Sequence, residues 1–302
     1  MRNRKFEKKK KIQISDPAPA KKKGQCKRMK KRKWLTFVLL AVFFIGLAVL
    51  LYPSLSDYWN SLVQSKAIVD YEGSLKNVDT SKRDAMFAAA EEYNASLAKL
   101  ENSYRDHNSI KGYDTMLDLN GTGMMGYVTI EKIGIELPLY RGTTPEVLAI
   151  AVGHVRGTSL PIPGEAVHSV LSAHRGLPTA KLFTDLDKLE IGDTFKVTVI
   201  DKAFTFEVDQ IRIVNPDDTS LLAIEDGREY CTLLTCTPYG INTQRLLVRG
   251  VRVENANFKN VYITAEAYEI DTLIVTPIVA LPILFVLMMI VLFKPVKKED
   301  KI

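Results

Sequence analysis

Apolar and polar positions follow three different rhythms along this chain, and each rhythm predicts a different kind of element. Two runs carry no charge at all, "WLTFVLLAVFFIGLAVLLY" over residues 34–52 and "LIVTPIVALPILFVLMMIVLF" over 273–293. About 20 apolar residues in a helix cross a hydrocarbon layer of about 30 Å, so both runs read as transmembrane helices, the second kinked by its prolines. Between 53 and 119 the spacing is that of an amphipathic helix. "KRDAMFAAAEEYNASLAKLENSYRDH" sets Met86, Ala89, Ala90, Tyr93, Leu97 and Leu100 three or four residues apart, with charges opposite. Asn120-Gly121-Thr122-Gly123 ends that rhythm, and beyond it the period falls to two. "MGYVTIEKIGIELPLY", "AVHSVLSAH", "GDTFKVTVID", "AFTFEVDQIRIV", "EYCTLLTCT" and "TQRLLVRGVRV" are short, mostly alternating runs rich in Val, Ile, Thr and Phe. So many short strands predict a mainly β domain over 120–260, either a sandwich or a closed barrel, with residues 261–272 as a linker to the second span.

Charge adds orientation to this picture. The net charge of +6 over 302 residues is concentrated before residue 34 and again in "KPVKKEDK" at the end. Basic residues flank the cytoplasmic side of membrane spans, so residues 1–33 and 294–302 read as cytoplasmic tails and everything between the spans as extracellular. A basic arm could also bind nucleic acid, but one that abuts a span reads as a lipid-facing tail, and no nucleic-acid partner is expected. A cleaved signal peptide needs a shorter apolar region and a small-residue cleavage site, whereas Tyr52-Pro53 follows the first run directly, so that run is read as a retained anchor.

Three cysteines are present, Cys26 in the inner tail and Cys231 and Cys236 in one strand-like run. On an extended strand the latter two lie on opposite faces about 16 Å apart, beyond disulfide reach. Cys231, inside the apolar stretch, reads as a small buried hydrophobe. Cys236 stands at the strand's end, before "TPYG", where a thiol is exposed enough to act as a nucleophile. An imidazole partner has to come from His107, His154, His168 or His174. His107 reads as a solvated surface residue and His154 as structural. His168 and His174 share a face of one strand about 20 Å apart, so only one of them can reach Cys236. His174, like Cys236, marks a passage from strand to loop. An oxyanion donor could come from Arg245 or Arg249, which share a face of the next strand, Arg245 lying nearer the turn.

"TLLTC" at 232–236 resembles the T-L-x-T-C signature of sortases, the cell-wall transpeptidases of Gram-positive bacteria. "SAHRGLP" at 172–178 is similar to the histidine segment of that family and "TPYGINTQRLLVRG" at 237–250 to its arginine strand. The resemblance implies a closed eight-stranded β-barrel preceded by helices and flanked by the two spans, with Cys236 as nucleophile, His174 as its histidine, Arg245 as its arginine, and Thr235 helping to shape the substrate pocket. Two spans and "HRGLP…KLFTDLDKL" resemble class C, the pilin polymerases. The resemblance then implies attack on the Thr-Gly bond of an LPxTG-like sorting signal, a thioacyl enzyme, and transfer to a lysine of another pilin subunit, with pilins and the membrane as partners. Class C members commonly carry a lid with an Asp-Pro-aromatic motif, and "ENSYRDHNSIKGYD" contains no Asp-Pro. Either other residues hold a lid or the site stands open, and rapid labelling of Cys236 by thiol reagents is the expectation. No zinc spacing or calcium loop occurs in the strand region, so neither metal nor cofactor is expected. The alternatives are a housekeeping-type sortase that anchors proteins to peptidoglycan and a non-catalytic pilin-binding scaffold. An L,D-transpeptidase would place histidine and glycine directly beside the cysteine, which "LLTCTPYG" does not.

Overall fold

The computed structural model describes residues 23–76, 78–254 and 283–286. The chain divides into one unit of Met1–Leu50 with Val279–Ile302 and another of Leu51–Ile278. The first unit contains the start of helix α1 (Lys23–Leu75), whose apolar side chains from Trp34 to Leu50 are largely exposed. Within α1, Trp34–Leu75 is long and apolar enough to cross a membrane. The helix does not stop at the expected boundary after residue 52 but runs through Pro53 to Leu75. The second expected span lies outside the described residues except for 283–286, which are helical and exposed. Residues 1–22, the linker 261–272 and the tail 294–302 likewise lie outside them.

In the second unit, α2 (Thr80–Ala98) begins at Asp79, whose carboxylate accepts the Lys82 N–H at 2.6 Å and so satisfies one of the free donors of the first turn. Its buried face comprises Phe87, Ala90, Tyr93, Asn94 and Leu97. Phe87 and Asn94 fall outside the stripe read from the sequence, and Asn94 is buried because it exchanges hydrogen bonds with the backbone of Leu160, at 2.7 and 3.1 Å. From α1, Tyr71 is fully buried. Its hydroxyl donates to the Met125 carbonyl at 2.7 Å and accepts the Ile200 N–H at 2.8 Å, which ties helix to barrel through backbone groups. After α2 the chain makes a short helix α3 (Ser103–Asp106) and tight turns before the first strand.

Eight strands close into a barrel: β1 (Met124–Ile130), β2 (Ile135–Arg141), β3 (Val152–His154), β4 (Val167–Ser172), β5 (Thr194–Val199), β6 (Lys202–Val214), β7 (Glu229–Thr237) and β8 (Gln244–Val253). A short helix α4 (Pro145–Leu148) links β2 to β3. Around the barrel the order is β1-β2-β3-β4-β7-β8-β6-β5, antiparallel except for β2 with β3 and β4 with β7. This is the closed eight-stranded architecture that the resemblance implies. Alternate residues such as Val128, Leu139, Leu171, Val197, Leu233 and Val248 fill the interior, joined by Ile68, Phe87 and Leu97 from the helices. Gly126 lies where β1 and β5 approach so closely that a Cβ would stand 1.9 Å from the Thr198 carbonyl oxygen. Any side chain there pushes two strands apart.

Candidate active site

Cys236 is the penultimate residue of β7, and its side chain falls on the outer face of the barrel wall. The alternation makes this plain: Cys231, Leu233 and Thr235 are buried, and Cys231 and Leu233 belong to the core, whereas Leu234 and Cys236 are half-buried on the other side. Cys231 is fully buried and its burial pushes the thiol pKa up, which leaves it a neutral apolar filler as its sequence position predicts. Both cysteines are free.

Two strands bring partners to Cys236. On β8, Arg245 is the Cα partner of Cys236 in the antiparallel ladder, so the two side chains share the outer face. On the other flank, β4 runs parallel to β7 with Ser172 opposite Leu234. The pairing continues past the end of β4, since the Ala173 N–H donates to the Leu234 carbonyl at 3.2 Å and the Thr235 hydroxyl donates to the Ala173 carbonyl at 2.8 Å. Extended by two residues, this register leads from Ser172 and Leu234 to His174 and Cys236. Neighbouring strands are about 4.8 Å apart, so the Arg245 backbone stands one strand spacing from that of Cys236. Thr235 itself is 1% exposed, so its contact is with the segment bearing His174.

The other candidates are placed elsewhere. His168 pairs with Tyr230 at the far end of β4, buried between the Thr232 hydroxyl and the Ala223 carbonyl, each 2.8 Å from a ring nitrogen. It anchors the loop between β6 and β7. Arg249 is committed to Asp209 through two hydrogen bonds of 3.1 and 2.7 Å and stacks its guanidinium 4.1 Å from the Tyr230 ring centre. Arg245, in contrast, contacts only the backbone carbonyls of Gln244 and Asn242 among the described residues, at 3.0 and 3.3 Å, which leaves its remaining N–H groups for a ligand.

His154, the last residue of β3, is completely buried: the Ser159 carbonyl accepts from its Nε2–H at 2.8 Å and Nδ1 accepts from the Tyr113 hydroxyl at 2.8 Å. This arrangement requires a neutral ring, and burial drives its pKa down to about 4. Unfolded imidazole titrates near 6.5, so below that pH the unfolded chain holds a proton that the folded chain refuses, and stability falls as pH drops. His168 is shifted in the same direction, chiefly by burial. Denaturant titrations in detergent are expected to show the protein losing about 2 kcal/mol between pH 7.5 and 5 through His154 alone. An unchanged midpoint across that interval contradicts the neutral buried ring.

A small apolar cluster of Val170, Leu222 and Leu247 covers the outer face next to the site, with Leu234, Val155, Leu221 and Tyr104 packed on it. Tyr104 belongs to α3, and burial pushes its hydroxyl up to about 12. Leu234 and Leu247 are the neighbours of Cys236 and Arg245 on that face, so Tyr104 belongs to the cluster that adjoins the thiol's strand although its segment lacks an Asp-Pro pair. The sequence offered no signal for Tyr104 beyond its place in that stretch.

A sortase domain is matched over residues 128–253. Sortase D of Bacillus subtilis strain 168 is 34% identical over 131 residues, which cover 42% of this chain and 63% of that protein. The chain thus spans less than two thirds of that curated relative. Among solved structures, sortase C1 of Streptococcus agalactiae is 45% identical with a TM-score of 0.58, covering 63% of this chain and all of that one. A pilus-related sortase C of Group B Streptococcus is 40% identical with a TM-score of 0.55, over 62% and 96% of the two chains.

Proposed function

Because this chain belongs to the sortase family of cysteine transpeptidases and groups with its class C members, we propose that it is a membrane-anchored transpeptidase that joins pilin subunits, with Cys236 as nucleophile. The observation that supports this reading is the pairing of Cys236 with Arg245 across β7 and β8, together with the parallel β4–β7 register that leads on toward His174. The Cys236 thiolate attacks the Thr carbonyl of an LPxTG-like sorting signal. The Thr-Gly C–N bond breaks as His174 gives a proton to the departing amine, and a thioester remains. Arg245 donates hydrogen bonds to the oxyanion or to the bound peptide. The lysine amine of a second pilin then attacks the thioester, forming an isopeptide bond and returning the thiol. Thr235 serves this chemistry by fixing the His174 segment through the Ala173 carbonyl. Support for pilins as substrates comes from the pilus-related neighbour. The apolar stretch of α1 supports a membrane anchor, with both chain ends in the cytoplasm as the basic flanks require.

The reading is tested by incubating the full chain in detergent with sorting-signal peptides and identifying the adduct on Cys236 by mass spectrometry, then adding pilin lysine or peptidoglycan fragments as acceptors. Transfer to the wall fragments alone would favour the housekeeping alternative, and no adduct at all a scaffold.

Residues 101–113 serve as a lid in this reading, held by Tyr104 where other class C members use an Asp-Pro-aromatic motif. Labelling of Cys236 by a charged thiol reagent is accordingly expected to be slow, and Tyr104→Ala to speed it about tenfold, from lost burial on the Val170, Leu222 and Leu247 cluster. Equal rates in the two proteins would leave the site open and the lid without a role.

A further inference from the structure

The imidazole of His174 makes no hydrogen bond to any described residue, so no carboxylate or carbonyl orients it and its place beside Cys236 depends on how its loop is held. The next residue does the holding. Arg175 has a side chain only 9% exposed, and its guanidinium reaches three groups. One Nη donates to the Thr237 hydroxyl at 3.3 Å, the other is paired with Asp187, and the whole group stands 5.9 Å from the centre of the Tyr239 ring. Thr237 directly follows Cys236 and closes β7. Gly176, at φ +73°, lies against the same tyrosine, since a Cβ there would stand 3.0 Å from the ring. The loop beyond is held as well. The Phe183 N–H donates to the His174 carbonyl at 3.1 Å, the Lys181 N–H to Asp57 of α1 at 2.7 Å, and Asn60 of α1 to the Thr179 carbonyl at 2.7 Å.

We infer that Arg175 is a positioning residue for the reaction: its buried guanidinium clamps the loop carrying His174 to the strand end carrying Cys236 and so keeps imidazole beside thiol. This rests on the transpeptidase reading for its purpose, though not for its geometry. The energetics separate a clamp from a structural brace. A buried guanidinium is costly to desolvate, and Nε of Arg175 is buried with no hydrogen-bond partner among the described residues. An apolar side chain of similar length removes that cost, so stability is expected to hold or rise when Arg175 is replaced. Alignment of the reacting groups suffers instead, and a displacement of about 1 Å in such groups lowers turnover by about 100-fold.

The test uses the full chain in detergent with a sorting-signal peptide. Arg175→Met is expected to melt at or above the parent temperature, with kcat lowered about 30-fold and KM nearly unchanged. Arg175→Lys, which keeps the charge but not the two-pronged reach, is expected to recover only part of kcat. Thr237→Val is expected to lower kcat about fivefold alone and to add little to Arg175→Met, because both break one contact. Parent kcat in Arg175→Met, or effects of the two changes that multiply, would overturn the clamp. Should Arg175→Met fail to fold, parent kcat in Arg175→Lys would overturn it equally. Iodoacetamide alkylation of Cys236 against pH reads the same geometry without turnover. The Arg175→Met profile is expected to move toward that of His174→Ala, and a profile coincident with the parent refutes the clamp. A parent that alkylates normally but never cleaves the peptide refutes the transpeptidase reading and leaves the clamp to be judged by alkylation.

Discussion

Cys236→Ala is expected to abolish peptide cleavage and acyl transfer, by about 10⁴-fold or more, while the barrel stays folded. The thiol is half-buried on the outer wall, apart from the core, so its removal is expected to cost less than about 1 kcal/mol. Cys231 cannot substitute, because it faces the interior with its ionisation suppressed by burial. Cys231→Ala is expected to do the reverse, keeping turnover and losing about 1–2 kcal/mol through the cavity it opens. Peptide cleavage followed by chromatography, with thermal melts of the same preparations, checks both. Residual turnover in Cys236→Ala at anything near the parent rate means that the nucleophile is another group.

The two arginines of β8 give the second large contrast. Arg245→Ala removes the guanidinium opposite Cys236 and is expected to lower kcat/KM by about 10²–10³, the usual loss when one oxyanion donor is deleted, with the melting temperature nearly unchanged. Arg249 lies on the same face four residues further along, yet its donors are spent on Asp209, and Tyr230 lies under its plane. Arg249→Ala is expected to cost about 1–3 kcal/mol of stability, because Asp209 is left without its counter-charge, and to change kcat/KM only a few-fold. Matching losses of activity in the two variants would mean that position opposite the thiol does not select the functional arginine.

The strands were legible because each has one face in the core and one outside, so that apolar residues recur at every second position. β3 escaped notice: three residues are too few to show a period, and all three are buried. The α2 face was read with the right period but rotated, because a polar residue, Asn94, occupies a buried position by bonding to backbone. Which strands meet was not legible from the pattern at all. Parallel pairing of β4 with β7 is a long-range choice that leaves no local trace, yet it alone decides that His168 stands opposite Tyr230, at the far end of β7 from Cys236. Spacing had put both on one face, and the family resemblance made the choice. Arg175 and Tyr104 went unmarked for a related reason, since their significance lies in neighbours distant along the chain.

The same parallel pair has a consequence for the protein's own biosynthesis. The end of β4 reaches the Cys236 strand only when β7 docks on β4, and the segments that become β5 and β6 are made between those two strands. A chain that has not yet made β7 therefore lacks both Cys236 and the wall on which its strand neighbours are assembled. The site's surroundings therefore arrive together with the finished fold and exist in no shorter length of the chain.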